Sequence, residues 1–165
     1  MGKSKLISIL KTFSGDEMKR FTDFISSPYF NTNKSLLRLV NLLKKYHPSF
    51  PTDKISKEKL YGKLFSGVSY NDQVMRNLSS QLLKLAKEFI SFESFNRDET
   101  QKSLTFLNEA RLRRIDSIFN SEYNLLKSNL SKEKLDENLF YHLHELEDVN
   151  VIYLIHRDRQ KEVYD

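Results

Sequence analysis

The chain has 165 residues, a net charge of +5 and no cysteine. Without cysteine, disulfides, thiolate metal ligands and thiol nucleophiles are excluded. The length suits one domain, or one domain and the start of another. No stretch approaches the roughly 18 apolar residues of a membrane helix, so we expect a cytoplasmic protein without a membrane partner.

The charges are distributed unevenly along the chain. Residues 1–92 hold 16 Lys and Arg against 7 Asp and Glu, whereas residues 93–165 hold 11 against 15. A basic first part can indicate an anionic partner. The alternative is that the two parts complement each other as lysine-rich and acidic helical surfaces.

The spacing of apolar residues predicts an all-α protein. The four glycines and three prolines all precede residue 68, and apolar residues recur every three or four positions. The helices predicted in the first part cover about residues 4–12, 15–26, 33–46, 57–65 and 72–95.

Local signals mark several helix ends. Ser14 and Glu17 form a capping-box pattern before the second helix, and Pro28 ends that helix because it pushes the preceding residue out of the α region. Ser56 is the expected cap of the fourth helix, and Gly67 is the expected stop after it.

The long helix at 72–95 is the predicted centre of a compact module. On a helical wheel its apolar residues cover a continuous arc about half the circumference wide, broader than a one-sided surface stripe. This arc contains Val74, Met75, Leu78, Leu82, Leu83, Leu85, Ala86, Phe89 and Ile90. We expect neighbouring elements to cover the helix on two sides.

The pattern changes near residues 96–98, which we take as a junction. Helical periodicity resumes after it, with a break expected between Arg111 and Ser121 and a last helix expected to begin near Lys132 and run almost to Asp165. The predicted organisation is a basic helical module over residues 1–95 and a helical-repeat-like segment of antiparallel helices over 96–165. We expect the natural chain to continue beyond Asp165.

The segment Ser26-Ser27-Pro28-Tyr29-Phe30-Asn31, preceded by Phe21-Thr22-Asp23-Phe24, resembles the signature of an uncharacterised family of bacterial proteins. The similarity extends through Lys59-Leu60-Tyr61, Leu64-Phe65, Tyr70-Asn71-Asp72, Arg76-Asn77-Leu78 and Leu107-Asn108-Glu109. In that family a helical N-terminal region precedes helix pairs similar to tetratricopeptide repeats. The resemblance implies that residues 96–165 begin an α-solenoid, and it implies no activity.

The helices at 57–65 and 72–91 have a helix-turn-helix outline. They are weakly similar to the DNA-binding region of bacterial activators that carry helical repeats. The exposed arc of the second helix offers side chains that pair with base edges or reach phosphates, namely Gln73, Arg76, Asn77, Ser80, Gln81, Lys84 and Lys87. Against DNA binding, the turn is six residues long and no β-hairpin wing follows. This hypothesis requires Arg76, Lys84 and Lys87 to be open to solvent on one convex edge, with Lys57, Lys59 or Lys63 beside them.

The turn Pro28, Tyr29, Phe30 and Asn31 is the other candidate site. Its two aromatic side chains are expected to pin the second and third helices together, and the alternative is that they anchor a bound peptide.

The residues carry no pattern for catalysis, a metal or a cofactor. His142 and His144 are two positions apart, which turns them to different faces of a helix. The segment Gly62 to Gly67 has the spacing of half a phosphate loop, but Val68 replaces the required Lys. We predict that the protein is not an enzyme and uses no cofactor or metal. The favoured function is a protein-interaction scaffold, and the alternative is a DNA-binding regulator.

Overall fold

The computed structural model describes residues 4–132, 134 and 136–157. These residues form helices joined by turns, with no strand among them, so the predicted all-α class is confirmed. The helices are α1 Lys5–Leu10, α2 Gly15–Ser26, α3 Lys34–Lys44, α4 Lys57–Leu64, α5 Asp72–Arg97, α6 Glu99–Leu112, α7 Asp116–Leu130 and α8 Glu137–Ile155. The chain divides into two compact units, Met1–Glu93 and Ser94–Asp165, whereas the prediction places the division after residue 95. We call them the N-terminal unit and the C-terminal unit.

The bounds of α2 follow from local signals and agree with the predicted 15–26. Ser14 Oγ accepts from Glu17 N at 3.1 Å, and Glu17 Oε2 accepts from Ser14 N at 2.7 Å. Both bonds of the capping box are therefore present, and they satisfy backbone donors that a helix start otherwise leaves unpaired. The helices α1 and α3 are shorter than predicted, because helix ends depend on packing as well as on periodicity.

The core of the N-terminal unit is centred on an aromatic cluster where α2, α5 and the turn after α1 meet. Phe89 of α5 is only 2% exposed, and its ring centroid lies 5.5 Å from Phe13, 5.2 Å from Phe21 and 5.7 Å from Phe24. Tilted and edge-on aromatic pairs at these distances are favourable beyond the area that they bury. The cluster fixes the C-terminal half of α5 against α2.

The buried face of α5 is narrower than the predicted arc. It consists of Met75, Leu78, Leu82, Leu85, Ala86 and Phe89. Val74 and Leu83 are half-buried at its borders, and the expectation that Ile90 is buried is wrong, since this side chain is 42% exposed. Wheel position alone does not tell which border of a helix a neighbour covers.

The loop after α3 is anchored back to the core. His47 Nε2 lies 2.8 Å from the carbonyl oxygen of Phe13; because a carbonyl only accepts, this nitrogen donates. The His47–Pro48 peptide bond is cis, and Phe50 has a φ of 46° and is 2% exposed. The loop therefore contributes a buried aromatic side chain to the same core.

The C-terminal unit confirms one predicted boundary and corrects another. Arg114, with a φ of 59°, lies in the turn between α6 and α7, within the predicted break. The predicted start of the last helix near Lys132 is wrong, because α8 begins at Glu137, where Asp136 Oδ1 accepts from Leu139 N at 2.8 Å. The predicted continuation almost to Asp165 lies outside the described residues.

The three helices of the C-terminal unit pack against one another in alternating directions. Arg157, after α8, forms a bidentate pair with Asp116 at the start of α7, so α7 and α8 are antiparallel. Arg111 near the end of α6 contacts His156 just after α8 at 3.1 Å, so α6 and α8 are parallel. This order is compatible with the start of an α-solenoid, which stays a prediction.

Candidate functional site

Six of the seven side chains named for nucleic-acid contact form an exposed strip on α5. They are Gln73, Arg76, Asn77, Ser80, Lys84 and Lys87, and all of them are at least partly open to solvent. We call them the α5 strip. The condition that Arg76, Lys84 and Lys87 be open to solvent is met, because the apolar residues of α5 face the core and turn these positions outward.

Part of the α5 strip is engaged in pairs on its own helix. Gln73 Nε2 donates to Asn77 Oδ1 at 2.9 Å, and Lys84 Nζ lies 3.7 Å from a Glu88 oxygen. Exposed i,i+4 pairs of this kind stabilise helices weakly. They also occupy groups that base recognition would need.

Asp72 is the centre of a network of hydrogen bonds and ion pairs at the N-terminal end of α5. Its carboxylate accepts from Lys57 Nζ at 2.9 Å and from Tyr70 Oη at 2.7 Å, and it pairs with Arg76 Nε at 2.5 Å. The hydrogen bonds from Lys57, Tyr70 and Arg76 lower the pKa of Asp72 to about 2. Desolvation, followed by the bond to Asp72, raises the pKa of Tyr70 to about 12. The network holds Lys57 of α4 beside Arg76 of α5.

The other two lysines of α4 are bound elsewhere. Lys59 Nζ donates to the carbonyl oxygen of Asp53 at 2.7 Å. Lys63 Nζ donates to Tyr46 Oη at 2.6 Å, which lowers the pKa of that phenol. Of the three lysines considered, Lys57 is therefore the one that is tied to the α5 strip.

Two shallow grooves border the α5 strip. One, of about 240 Å³, lies on the side of α1 and α4 and is lined in part by Lys5, Lys57 and Leu83. The other, of about 260 Å³, lies on the side of the turn after α2 and is lined in part by Asn31 and Leu85. A recognition helix must enter the major groove of DNA. Here residues of neighbouring elements flank the α5 strip on both sides, and this arrangement counts against DNA binding.

The turn Pro28, Tyr29, Phe30 and Asn31 divides its roles among its residues. The ring of Phe30 stacks on that of Phe24 of α2, with centroids 3.9 Å apart, and its centroid lies 5.6 Å from that of Phe92 of α5. Phe30 therefore attaches the turn to α2 and α5. Tyr29 is 89% exposed and makes an edge contact to Phe30 at 5.0 Å. The amide of Asn31 donates to the carbonyl oxygens of residues 25 and 33 and accepts from the backbone of residue 33. Phe30 and Asn31 hold the turn, while Tyr29 is open to solvent.

The C-terminal unit carries a groove between the parallel helices α6 and α8. Its volume is about 260 Å³, and its lining includes Gln101, Asn108, Asp148 and Ile152. Eight large apolar side chains of α6, α7 and α8 are at least 40% exposed, and they are Phe106, Leu112, Ile118, Leu125, Phe140, Tyr141, Ile152 and Ile155. On α8, Tyr141, Ile152 and Ile155 share one face at helical spacing.

The described part of the chain holds no group of three or more His, Cys, Asp or Glu that could bind a metal ion. His144 Nδ1 lies 3.2 Å from Asp148 Oδ2, and both side chains are well exposed. None of the described helices is both long enough and apolar enough to cross a membrane.

The sequence does not predict the roles of two residues beside the α5 strip, Asp72 and Lys5. Asp72 belongs to no catalytic or binding pattern in the sequence, and the cap bond at the start of α5 comes from Asn71, whose Oδ1 accepts from Val74 N at 3.1 Å. The four-residue spacing of Asp72 and Arg76 is the signal that could have indicated an ion pair. Lys5 reaches the same groove from α1, and no local signal could reveal a neighbour so distant in sequence.

Comparison with protein-family models, with curated proteins and with solved structures found no match.

Proposed function

We propose that the protein is a non-catalytic scaffold that binds another protein through the groove between α6 and α8. The observation that carries this proposal is the exposure of Ile152 and Ile155, one helical turn apart on α8, with Ile152 in the lining of that groove. Exposed apolar side chains that lie next to one another beside a groove are typical of a surface that contacts a partner.

The composition of the groove supports a protein partner. Ile152 supplies exposed apolar contact, while the amides of Gln101 and Asn108 and the carboxylate of Asp148 supply polar contacts at its walls. An apolar centre with a polar border is typical of protein interfaces. Two parallel helices with a groove between them offer a binding surface that is set by the packing of rigid elements.

The test uses a photo-crosslinking amino acid placed at Ile152 and, as a control, at Asn124 on the exposed side of α7. We expect a protein to be captured from position 152 and not from position 124. The purified partner should then bind the Ile152→Asp variant at least tenfold more weakly, about 1.4 kcal/mol, and the Asn124→Asp variant as tightly as the wild type. Capture from both positions alike, or equal affinity of the two variants, would reject the groove as the binding surface.

DNA binding through the α5 strip is the second candidate function, and the solvent access of its six side chains favours it. Contacts by several cations should make binding fall steeply as salt rises. The test is a fluorescence-anisotropy titration of mixed-sequence duplex DNA at low and at physiological salt. The variant Arg76→Ala, Lys84→Ala, Lys87→Ala should lose binding. Absence of binding by the wild type at low salt would exclude this function.

A further inference from the structure

The groove between α1, α4 and α5 combines cations from three different helices. Lys5 comes from α1, Lys57 from α4 and Arg76 from α5, and all three line one cavity of about 240 Å³. This volume is below the 300–1,000 Å³ of pockets for drug-sized ligands. The size of the cavity suits a single small chemical group.

The groove has a net positive charge, and one carboxylate holds two of its three cationic side chains in position. Asp72 pairs with Lys57 at 2.9 Å and with Arg76 at 2.5 Å, while Lys5 is exposed and forms no ion pair among the described residues. Three cations against one carboxylate leave a charge of +2. Because Asp72 fixes two of these cations before any ligand arrives, the cost of ordering their side chains is already met.

The groove also has hydrogen-bond donors that the fold leaves unused. Arg76 pairs with Asp72 through Nε, and its two terminal nitrogens have no partner among the described residues. Ser4 Oγ accepts from Ile7 N at 3.4 Å, which leaves its own hydroxyl hydrogen to donate. The Ser80 hydroxyl also lines the groove and has no partner among the described side chains. Guanidinium, ammonium and hydroxyl donors together are the set that protein phosphate sites use.

We propose that this groove binds a phosphate group, with Lys5, Lys57 and Arg76 as its charged contacts and Ser4 and Ser80 as hydroxyl donors. The charge of +2 matches a phosphate dianion. Leu6 and Leu83 supply apolar lining beside these donors, which suits a phosphate ester that carries an organic group. The proposal concerns the N-terminal unit and does not depend on the protein partner proposed for the groove between α6 and α8.

The test follows the Arg76 Nε–H signal and the Ser80 amide by ¹H–¹⁵N NMR while inorganic phosphate replaces chloride at constant ionic strength. We expect saturable shifts, with an affinity at least fivefold weaker in Lys5→Gln and in Arg76→Gln. In Arg76→Gln the Ser80 amide alone reports binding, because the Arg76 signal is absent. Lys5→Gln is the decisive variant, because it leaves the Asp72 network intact. Lys84→Gln is the matched control, since it removes one exposed cation from α5 outside the groove.

The proposal is overturned if phosphate produces no saturable shift, or if Lys84→Gln weakens binding as much as Lys5→Gln does. A second titration identifies the source of the phosphate group. If it is a nucleic-acid backbone, duplex DNA should shift the same signals, and Lys84→Gln should weaken DNA binding because a backbone spans several cations. If it belongs to a small phosphate ester, a nucleoside monophosphate should shift the groove signals and DNA should not.

Discussion

Removal of the Phe89 ring should loosen α5 more than any change on its exposed side. The ring is 2% exposed and has three aromatic neighbours with centroids within 5.7 Å. Truncation of a buried Phe to Ala costs about 3–5 kcal/mol, since the lost burial is compounded by a cavity. Because three neighbouring rings would each lose an aromatic partner, we expect Phe89→Ala to cost about 4 kcal/mol, close to a thousandfold in the unfolding equilibrium.

The matched control is Phe92→Ala, three positions farther along the same helix. Phe92 is 42% exposed and contacts Phe24 at 5.8 Å and Phe30 at 5.6 Å. Since much of its ring is already exposed to water in the wild type, we expect Phe92→Ala to lower the free energy of unfolding by only about 1 kcal/mol. The two substitutions remove the same atoms, so the difference between them measures burial.

Native-state hydrogen exchange of the α2 amides is the assay, because it reports the free energy of opening of the N-terminal unit residue by residue. Protection in α2 should fall by about 4 kcal/mol in Phe89→Ala and by about 1 kcal/mol in Phe92→Ala. A loss below about 2 kcal/mol for Phe89→Ala, or equal losses for the two variants, would refute the assignment of Phe89 to the centre of the core.

Two further predictions concern the elements that lead into α5. Gly67 has a φ of 79° and Gly62 lies inside α4, and a Cβ at either position meets nothing within 4 Å. Gly67→Ala should therefore lower the free energy of unfolding by about 1 kcal/mol through backbone strain alone, whereas Gly62→Ala should raise it by about 0.5–1 kcal/mol. Urea unfolding measures both changes. A change of the same sign in the two variants would contradict this reasoning. The pKa of Asp72, lowered to about 2 by hydrogen bonds from Lys57, Tyr70 and Arg76, predicts a stability contribution that is complete above the ordinary value of 3.8 and is lost as the pH falls through 2. A ¹³C titration of the Asp72 carboxyl should show that midpoint, and Lys57→Ala should raise it; an unchanged midpoint in the variant would show that Lys57 does not act on Asp72.

Much of the fold could be predicted from short-range signals. The bounds of α2 follow from Ser14, Glu17 and Pro28, because capping and the exclusion of the α region before proline act over a few residues. Only the usual length of helices predicts the break between α6 and α7. No glycine or proline marks it, and Arg114 adopts the positive φ instead. The sequence predicts the start of α8 too early, because periodicity continues through residues that precede the helix in the structure.

The candidate sites were only partly predictable, and the reason is distance along the chain. The sequence by itself determined that the helices are amphipathic, that the polar side of α5 faces outward and that the first part of the chain is basic, because these properties depend on residue order alone. Only the tertiary structure decided that Lys5, Lys57 and Arg76 line one groove, that Asp72 pairs with two of them, and that Phe30 rather than Tyr29 is packed against α2. Such meetings depend on which helices pack together, and packing is set by the complementarity of whole apolar faces rather than by any local pattern.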